Sequence, residues 1–201
     1  MDYITAVFAN MGPSGRRGLL KINNRPMIEY VLDSVPDDSK TIFIMSSRDS
    51  MEDYRVLADE YSAELEEAVD ERLDMRFQLE PVFNKAGAQG VLVLPCDTPF
   101  INKDVTSFLR SIVTRFSAGI PRPVFDKPEF MPASYRVEPF LKAMKENPDM
   151  HIADLVKHVN NVLYISAQSF RVFDDKLRFL TRVQNASDAR KASQIMQALE
   201  G

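Results

Sequence analysis

At 201 residues, with 45% hydrophobic and 27% charged side chains, the chain has the size and balance of one folded domain, which excludes a disordered polypeptide. A formal charge of −4 argues against general nucleic-acid binding, and no apolar run approaches the ~20 residues that cross a bilayer. The single Cys96 has no partner for an internal disulfide, and the N-terminus carries no signal-peptide pattern, so a cytoplasmic location is the expectation.

The first apolar run, Ile4 to Phe8, has the length of a buried strand, and a loop from Ala9 to Lys21 follows it. Gly12, Gly15 and Gly18 fall at intervals of three in that loop. Glycine lets backbone N–H groups turn toward a ligand because no Cβ blocks the approach. Between Ala9 and Ile28 stand four cations, Arg16, Arg17, Lys21 and Arg25, and no acid. A glycine-punctuated, basic loop after a strand is a cradle for phosphates or, in the plainer alternative, an ordinary surface loop. Its spacing fits neither a Walker A loop, since Leu19 and Leu20 separate Gly18 from Lys21, nor the dinucleotide fingerprint, which also disfavours a dehydrogenase.

Strand and helix signals then alternate. A helix is expected from about Pro26 to Ser34, a strand over Thr41 to Met45, and a helix opened by a Ser50-x-x-Asp53 capping box. A short strand near Leu65 to Val69 and a helix carrying Leu73, Phe77 and Val82 follow, with Pro81 placed to end or kink it. Gly90 to Pro95 reads as a central parallel strand, apolar on both faces, and Asn102 caps a helix bearing Val105, Phe108, Leu109 and Ile112. Beyond it, Pro121, Pro123, Pro128 and Pro132 mark a loop, followed by a strand over Ala133 to Val137 and a helix from Pro139 to Lys145. A segment from His151 to His158, a strand over Val162 to Ile165 and a final helix opened by Asn185 complete the chain. The pattern predicts an α/β fold, a three-layer α/β/α arrangement around a mostly parallel, Rossmann-like sheet. No linker divides the chain, so residues 1–201 are read as one domain.

In such sheets ligands sit at the carboxyl ends of the strands, where the glycine loop and Asp97 both fall. A lone carboxylate suits Mg²⁺, which keeps several waters and takes further ligands from substrate phosphates. It also suits a turn cap beside Thr98-Pro99. Cys96 reads as a small buried residue, and His151 and His158 have no partner His or Cys for ligation.

These residues resemble a family. Ser14-Gly15-Arg16-Arg17-Gly18-Leu19-Leu20-Lys21 is similar to the S-x-R-M-G-x-D-K loop of the molybdenum cofactor guanylyltransferases, with Arg17 in place of Met and Leu20 in place of Asp. Phe8-Ala9-Asn10-Met11-Gly12 resembles that family's L-A-G-G phrase with one glycine left, and Val91-Leu92-Val93-Leu94-Pro95-Cys96-Asp97-Thr98-Pro99-Phe100 resembles its apolar strand ending in C-D-M-P-F. Met131 to Arg136 looks like its P-L-x-A-L-Y-R segment, and Arg182 to Asp188 falls where it has N-I-N-T-P-E-D.

The resemblance implies a nucleotide-diphospho-sugar transferase type of fold and Mg²⁺-dependent transfer of GMP from GTP to a phosphorylated acceptor, with release of pyrophosphate. It implies that Ala9, Asn10, Gly12, Ser14, Gly15 and Ser47 hold the nucleotide, that Arg16 and Lys21 neutralise the triphosphate, and that Asp97 binds the metal. Arg182 and Gln184 replace two asparagines associated with acceptor or metal binding, and the acceptor is expected to be molybdopterin. Partner enzymes of cofactor biosynthesis are implied; nucleic acid and membrane are not. Two alternatives stand beside this: an adenosylcobinamide-phosphate guanylyltransferase, and a nucleotide-binding protein of the same fold without catalysis.

Overall fold

The structure, a computed structural model, describes residues 2–9, 16–45, 51–68, 74–85, 87–124 and 127–200. Its strands are β1 (Tyr3–Phe8), β2 (Lys21–Ile22), β3 (Arg25–Pro26), β4 (Lys40–Met45), β5 (Glu64–Glu67), β6 (Gly90–Pro95), β7 (Ala118–Arg122), β8 (Ala133–Arg136) and β9 (Val162–Ser166). Its α-helices are α1 (Met27–Leu32), α2 (Met51–Glu60), α3 (Met75–Lys85), α4 (Lys103–Ile112), α5 (Val137–Glu146), α6 (Ile152–Leu155) and α7 (Ala186–Glu200).

Seven strands form one sheet in the order β5-β4-β1-β6-β8-β7-β9. β5, β4, β1 and β6 are mutually parallel; β8 runs antiparallel to both neighbours, and β7 and β9 are parallel to each other. The sheet is therefore mostly parallel, as the alternating pattern predicts. Period-two alternation divides its side chains between two cores. Ile4, Ala6, Val91 and Val93 meet Leu79, Phe83, Phe140 and Leu155 of α3, α5 and α6. Val7, Phe43, Leu92 and Leu94 meet Val31, Leu57 and Leu109 of α1, α2 and α4 on the other face. These are the three layers. A third cluster joins Ile22 and Met27 to Val183, Ala189, Ala192 and Met196, pinning α7 and the segment before it against the β2–β3 hairpin.

Local chemistry explains most boundaries. The Asn102 side chain accepts from the Val105 N–H at 2.9 Å, a side-chain N-cap for α4. Asn23 and Asn24 both adopt positive φ, 48° and 64°, in the two-residue turn between β2 and β3, as a type I′ hairpin requires. The long helix expected from Pro26 to Ser34 is shorter, Met27–Leu32, with Pro26 paired in β3. α3 continues through Pro81 to Lys85. The capping box of α2 rests on Ser50, which lies outside the described residues.

Pro121, read as loop, is in β7. Its carbonyl accepts from Glu129 N at 2.8 Å, so the carbonyl and the nitrogen that lacks a hydrogen face the 127–131 segment and the ladder to β9 loses no donor. Proline is tolerated in a strand on those terms.

Candidate functional site

β1, β4 and β6 end together, and the backbone ties their ends. Ala9 N–H donates to the Ile44 carbonyl at 2.9 Å, and Cys96 N–H donates to the Phe8 carbonyl at 3.0 Å. The Ala9 carbonyl accepts from Gly18 N–H at 3.0 Å and from the Tyr54 hydroxyl at 3.3 Å. The loop that leaves β1 is thus closed at its base by Gly18. A Cβ on Gly18 would stand 2.7 Å from the Ala9 oxygen, closer than real Cβ contacts, so only glycine allows this closure. Ala9, expected among the nucleotide ligands, has its N–H taken up by the sheet.

Gly18 sets the position of the residue before it. Arg17 opens a 3₁₀ turn over Arg17–Leu19, and its Nη1 lies 3.4 Å from Oδ2 of Asp97. Asp97 follows β6 and is almost wholly buried, its side chain 3% exposed. From the other side, Val183 is held in the third apolar cluster and donates its N–H to the Asp97 carbonyl at 2.8 Å. That anchor brings Arg182 alongside, with Nη1 2.5 Å from Asp97 Oδ1. Arg182 Nη2 also donates to the Met131 carbonyl at 2.5 Å and lies 3.3 Å from Glu129 Oε2. Two remote segments, those of Arg17 and Arg182, therefore converge on one carboxylate, and a third, at Glu129 to Met131, holds Arg182. A buried, charged Asp without such partners would be strongly unfavourable.

Cys96 is fully buried beside this cluster. Burial, and then the neighbouring Asp97 carboxylate, push its thiol well above the ordinary value, so it stays protonated and is no nucleophile.

The remaining sequence candidates are more dispersed. Arg16, with φ of 51°, pairs its guanidinium with Asp53 Oδ2 at 2.5 Å on an exposed surface. Lys21 is exposed on β2 and makes no ion pair among the described residues. Arg25 binds Glu29 at 2.6 Å and Asp33 at 2.6 Å, and donates to the Tyr61 hydroxyl at 2.9 Å. Acids from elsewhere in the chain thus neutralise three of the four cations that sequence places together. Gln184 donates its N–H to Asp188 at 3.1 Å at the start of α7, next to Arg182. Asn10, Gly12, Ser14, Gly15 and Ser47 lie outside the described residues.

Arg17 and Glu129 are the site residues that sequence reasoning did not single out. Arg17 carried a signal: a buried strand-end carboxylate needs a cation, and Arg17 is an arginine standing where the resembled pattern has an apolar residue. Glu129 carried none, because only the turn of its segment back onto Pro121 brings it near.

The expected Mg²⁺ at Asp97 can be tested against this geometry. Both carboxylate oxygens face guanidinium groups, and no three His, Cys, Asp or Glu side chains gather as a metal site among the described residues. Magnesium demands near-octahedral oxygen ligation close to the ion. This donor set, with Arg182 Nη1 at 2.5 Å from the required oxygen, does not fit it. A cavity of about 450 Å³ lined by Asp33, Asp37, Ser39, Thr41 and Tyr61 opens at the start of β4, the opposite edge of the parallel strands.

Residues 10–162 match the model of the MobA-like NTP transferase domain. Among solved structures, the chain is similar to molybdopterin-guanine dinucleotide biosynthesis protein A from Archaeoglobus fulgidus, with a TM-score of 0.74 and 19% identity over 98% of this chain and 99% of that one. It is also similar to 2-C-methyl-D-erythritol 4-phosphate cytidylyltransferase from Thermus thermophilus, with a TM-score of 0.70 and 14% identity over 98% and 100% of the two chains. The 4-diphosphocytidyl-2C-methyl-D-erythritol synthase from Anaerococcus prevotii gives a TM-score of 0.73 at 11% identity over 98% and 96%. Identities this low establish a shared fold alone. No curated protein is a significant sequence match.

Proposed function

Because the chain belongs to the MobA-like NTP transferase domain family, we propose that it moves GMP from GTP to a phosphate on a small acceptor, with molybdopterin the leading acceptor and the cytoplasm its place of action. An oxygen of the acceptor phosphate forms a bond to the α-phosphorus of GTP. The bond from that phosphorus to the β-bridging oxygen breaks, and pyrophosphate leaves with the electron pair. Such transfer asks a protein for alignment and for positive charge opposite the leaving oxygens. In this reading Lys21 and Arg16 meet the triphosphate, Asp97 holds Arg17 and Arg182 in place at the carboxyl edge, and Gln184 lies toward the acceptor. The partner enzymes would be those that make and use the acceptor.

The observation that supports this most is the convergence of Arg17, Asp97 and Arg182 at the end of β6, beside the loop that leaves β1. Release of pyrophosphate from each of four nucleoside triphosphates, with molybdopterin, adenosylcobinamide phosphate or methylerythritol phosphate as acceptor, tests it. Turnover with GTP and molybdopterin is the expected result. Turnover with adenosylcobinamide phosphate or with CTP would reassign the acceptor or the base. GTP binding without turnover on any acceptor would favour the non-catalytic reading, which the occupied Asp97 carboxylate already recommends as the second choice.

A further inference from the structure

We propose that Arg182 stands in the cation position of this site, its guanidinium taking the oxygens that would otherwise gather a divalent metal ion, so that nucleotide phosphates meet arginine and bind without Mg²⁺. This deepens the reading above and rests on it for the identity of the nucleotide, but not for the metal.

The cation position is defined by what surrounds it. Asp97 Oδ1 at 2.5 Å, the Met131 carbonyl at 2.5 Å and Glu129 Oε2 at 3.3 Å all face the Arg182 guanidinium. Two carboxylates and a backbone carbonyl are hard oxygen donors, the kind that Mg²⁺ or Mn²⁺ takes when no guanidinium sits among them. The donors come from two segments, Asp97 after β6 and Glu129 with Met131 before β8, and the guanidinium is what joins them. Arg17 closes the remaining side at 3.4 Å from Asp97 Oδ2, and its Nε is buried with no hydrogen bond among the described residues.

Charge makes the two occupants exclusive. Two arginines against Asp97 and Glu129 sum to zero, so the cluster is balanced as it stands. A divalent ion added beside two guanidinium groups would be repelled by both and would have to displace Arg182 from its anchor next to Val183. Arg182 is itself only partly covered, its side chain 26% exposed, which leaves it an open face toward a phosphate. Guanidinium is suited to that use because its planar fork binds phosphate oxygens in pairs.

The test reads metal and nucleotide separately. Mn²⁺ titrated without nucleotide and followed by electron paramagnetic resonance should show no site at Asp97 in the wild type. Arg182→Gln should gain a Mn²⁺ site, the added change Asp97→Asn should abolish it, and Arg182→Lys, which keeps a charge, should gain none. Wild-type protein that binds Mn²⁺ and loses it on Asp97→Asn would overturn the proposal, as would an Arg182→Gln protein that folds and gains nothing. If Arg182→Gln does not fold, the wild-type and Asp97→Asn pair still decides. In parallel, Kd for GTP in EDTA and in excess Mg²⁺ should differ by less than about tenfold, one step on the affinity scale. A larger gain with Mg²⁺ contradicts the proposal, whereas absence of GTP binding in both buffers counts against the function proposed above and leaves the Mn²⁺ result to stand alone.

Discussion

Lys21 and the arginines near it differ in what surrounds them. Arg17 is engaged by the buried Asp97, Arg25 by Glu29 and the exposed Asp33, and Arg16 by the half-buried Asp53, whereas Lys21 projects from β2 with no ion pair among the described residues. A cation without an internal partner is the one whose charge a polyanion can use in full. Lys21→Ala is therefore expected to weaken GTP binding by roughly ten- to hundredfold, the value of a charge-assisted hydrogen bond of about 1.5–3 kcal/mol. Calorimetric titration checks this, and an unchanged Kd would remove Lys21 from the site. Gly18 supports a second prediction at the same scale. Its missing Cβ makes room for the Ala9 oxygen, a backbone atom that cannot move cheaply. Gly18→Ala should lower stability by roughly 1–3 kcal/mol, the usual cost of forcing an atom into a packed position, read from the denaturation midpoint. A midpoint equal to the wild type would show that the loop base relaxes freely.

Elements are held to one another by caps and clamps. Asn102 caps α4 and also donates to the Phe173 carbonyl at 3.0 Å, so Asn102→Ala should cost about 1 kcal/mol or somewhat more, again by denaturation. Arg25, Asp33 and Tyr61 clamp the β2–β3 hairpin and α1 to the end of α2. Burial, and next the hydrogen bond that Tyr61 donates to Asp33, push the Tyr61 hydroxyl from 10 up to about 12. The sign follows from the raised folded value: the clamp contributes fully below pH 10 and is lost as pH rises toward 12. Denaturation midpoints above pH 10 should fall less steeply in Tyr61→Phe than in the wild type. Equal slopes would mean that another group carries the alkaline loss.

The same element scale shows what the sequence discloses. Buried parallel strands, the Asn102 cap and the amphipathic helix after Asn185 are local patterns, and they fold as they read. β7 does not read as a strand, because its legitimacy depends on Glu129 folding back on Pro121. The basic stretch misleads for a related reason. Arg16 and Arg17 have no acid nearby in sequence, yet Asp53 and Asp97 reach them in space, whereas Arg25 is met locally by Glu29 and Asp33. Asp97 was legible because it ends the most apolar strand; its two arginine partners, 80 and 85 residues away, are not legible from spacing.

For the whole molecule, topology decides where a ligand is presented. With β5, β4, β1 and β6 parallel, their carboxyl ends form one edge, and β1, β6 and the segment before α7 contribute Arg17, Asp97 and Arg182 there. The 450 Å³ cavity at the other edge is lined by Asp33, paired with Arg25, and Asp37, paired with Lys103, and by no Lys or Arg among the described residues, so its walls offer a triphosphate no cation. A ligand of this charge belongs at the edge that carries guanidinium groups. Amide hydrogen exchange with and without GTP measures that choice most directly. Slowed exchange at Gly18 to Lys21, Asp97 to Thr98 and Thr181 to Val183 is the result predicted. Protection that appears at Val35 to Thr41 instead, or nowhere, would contradict it.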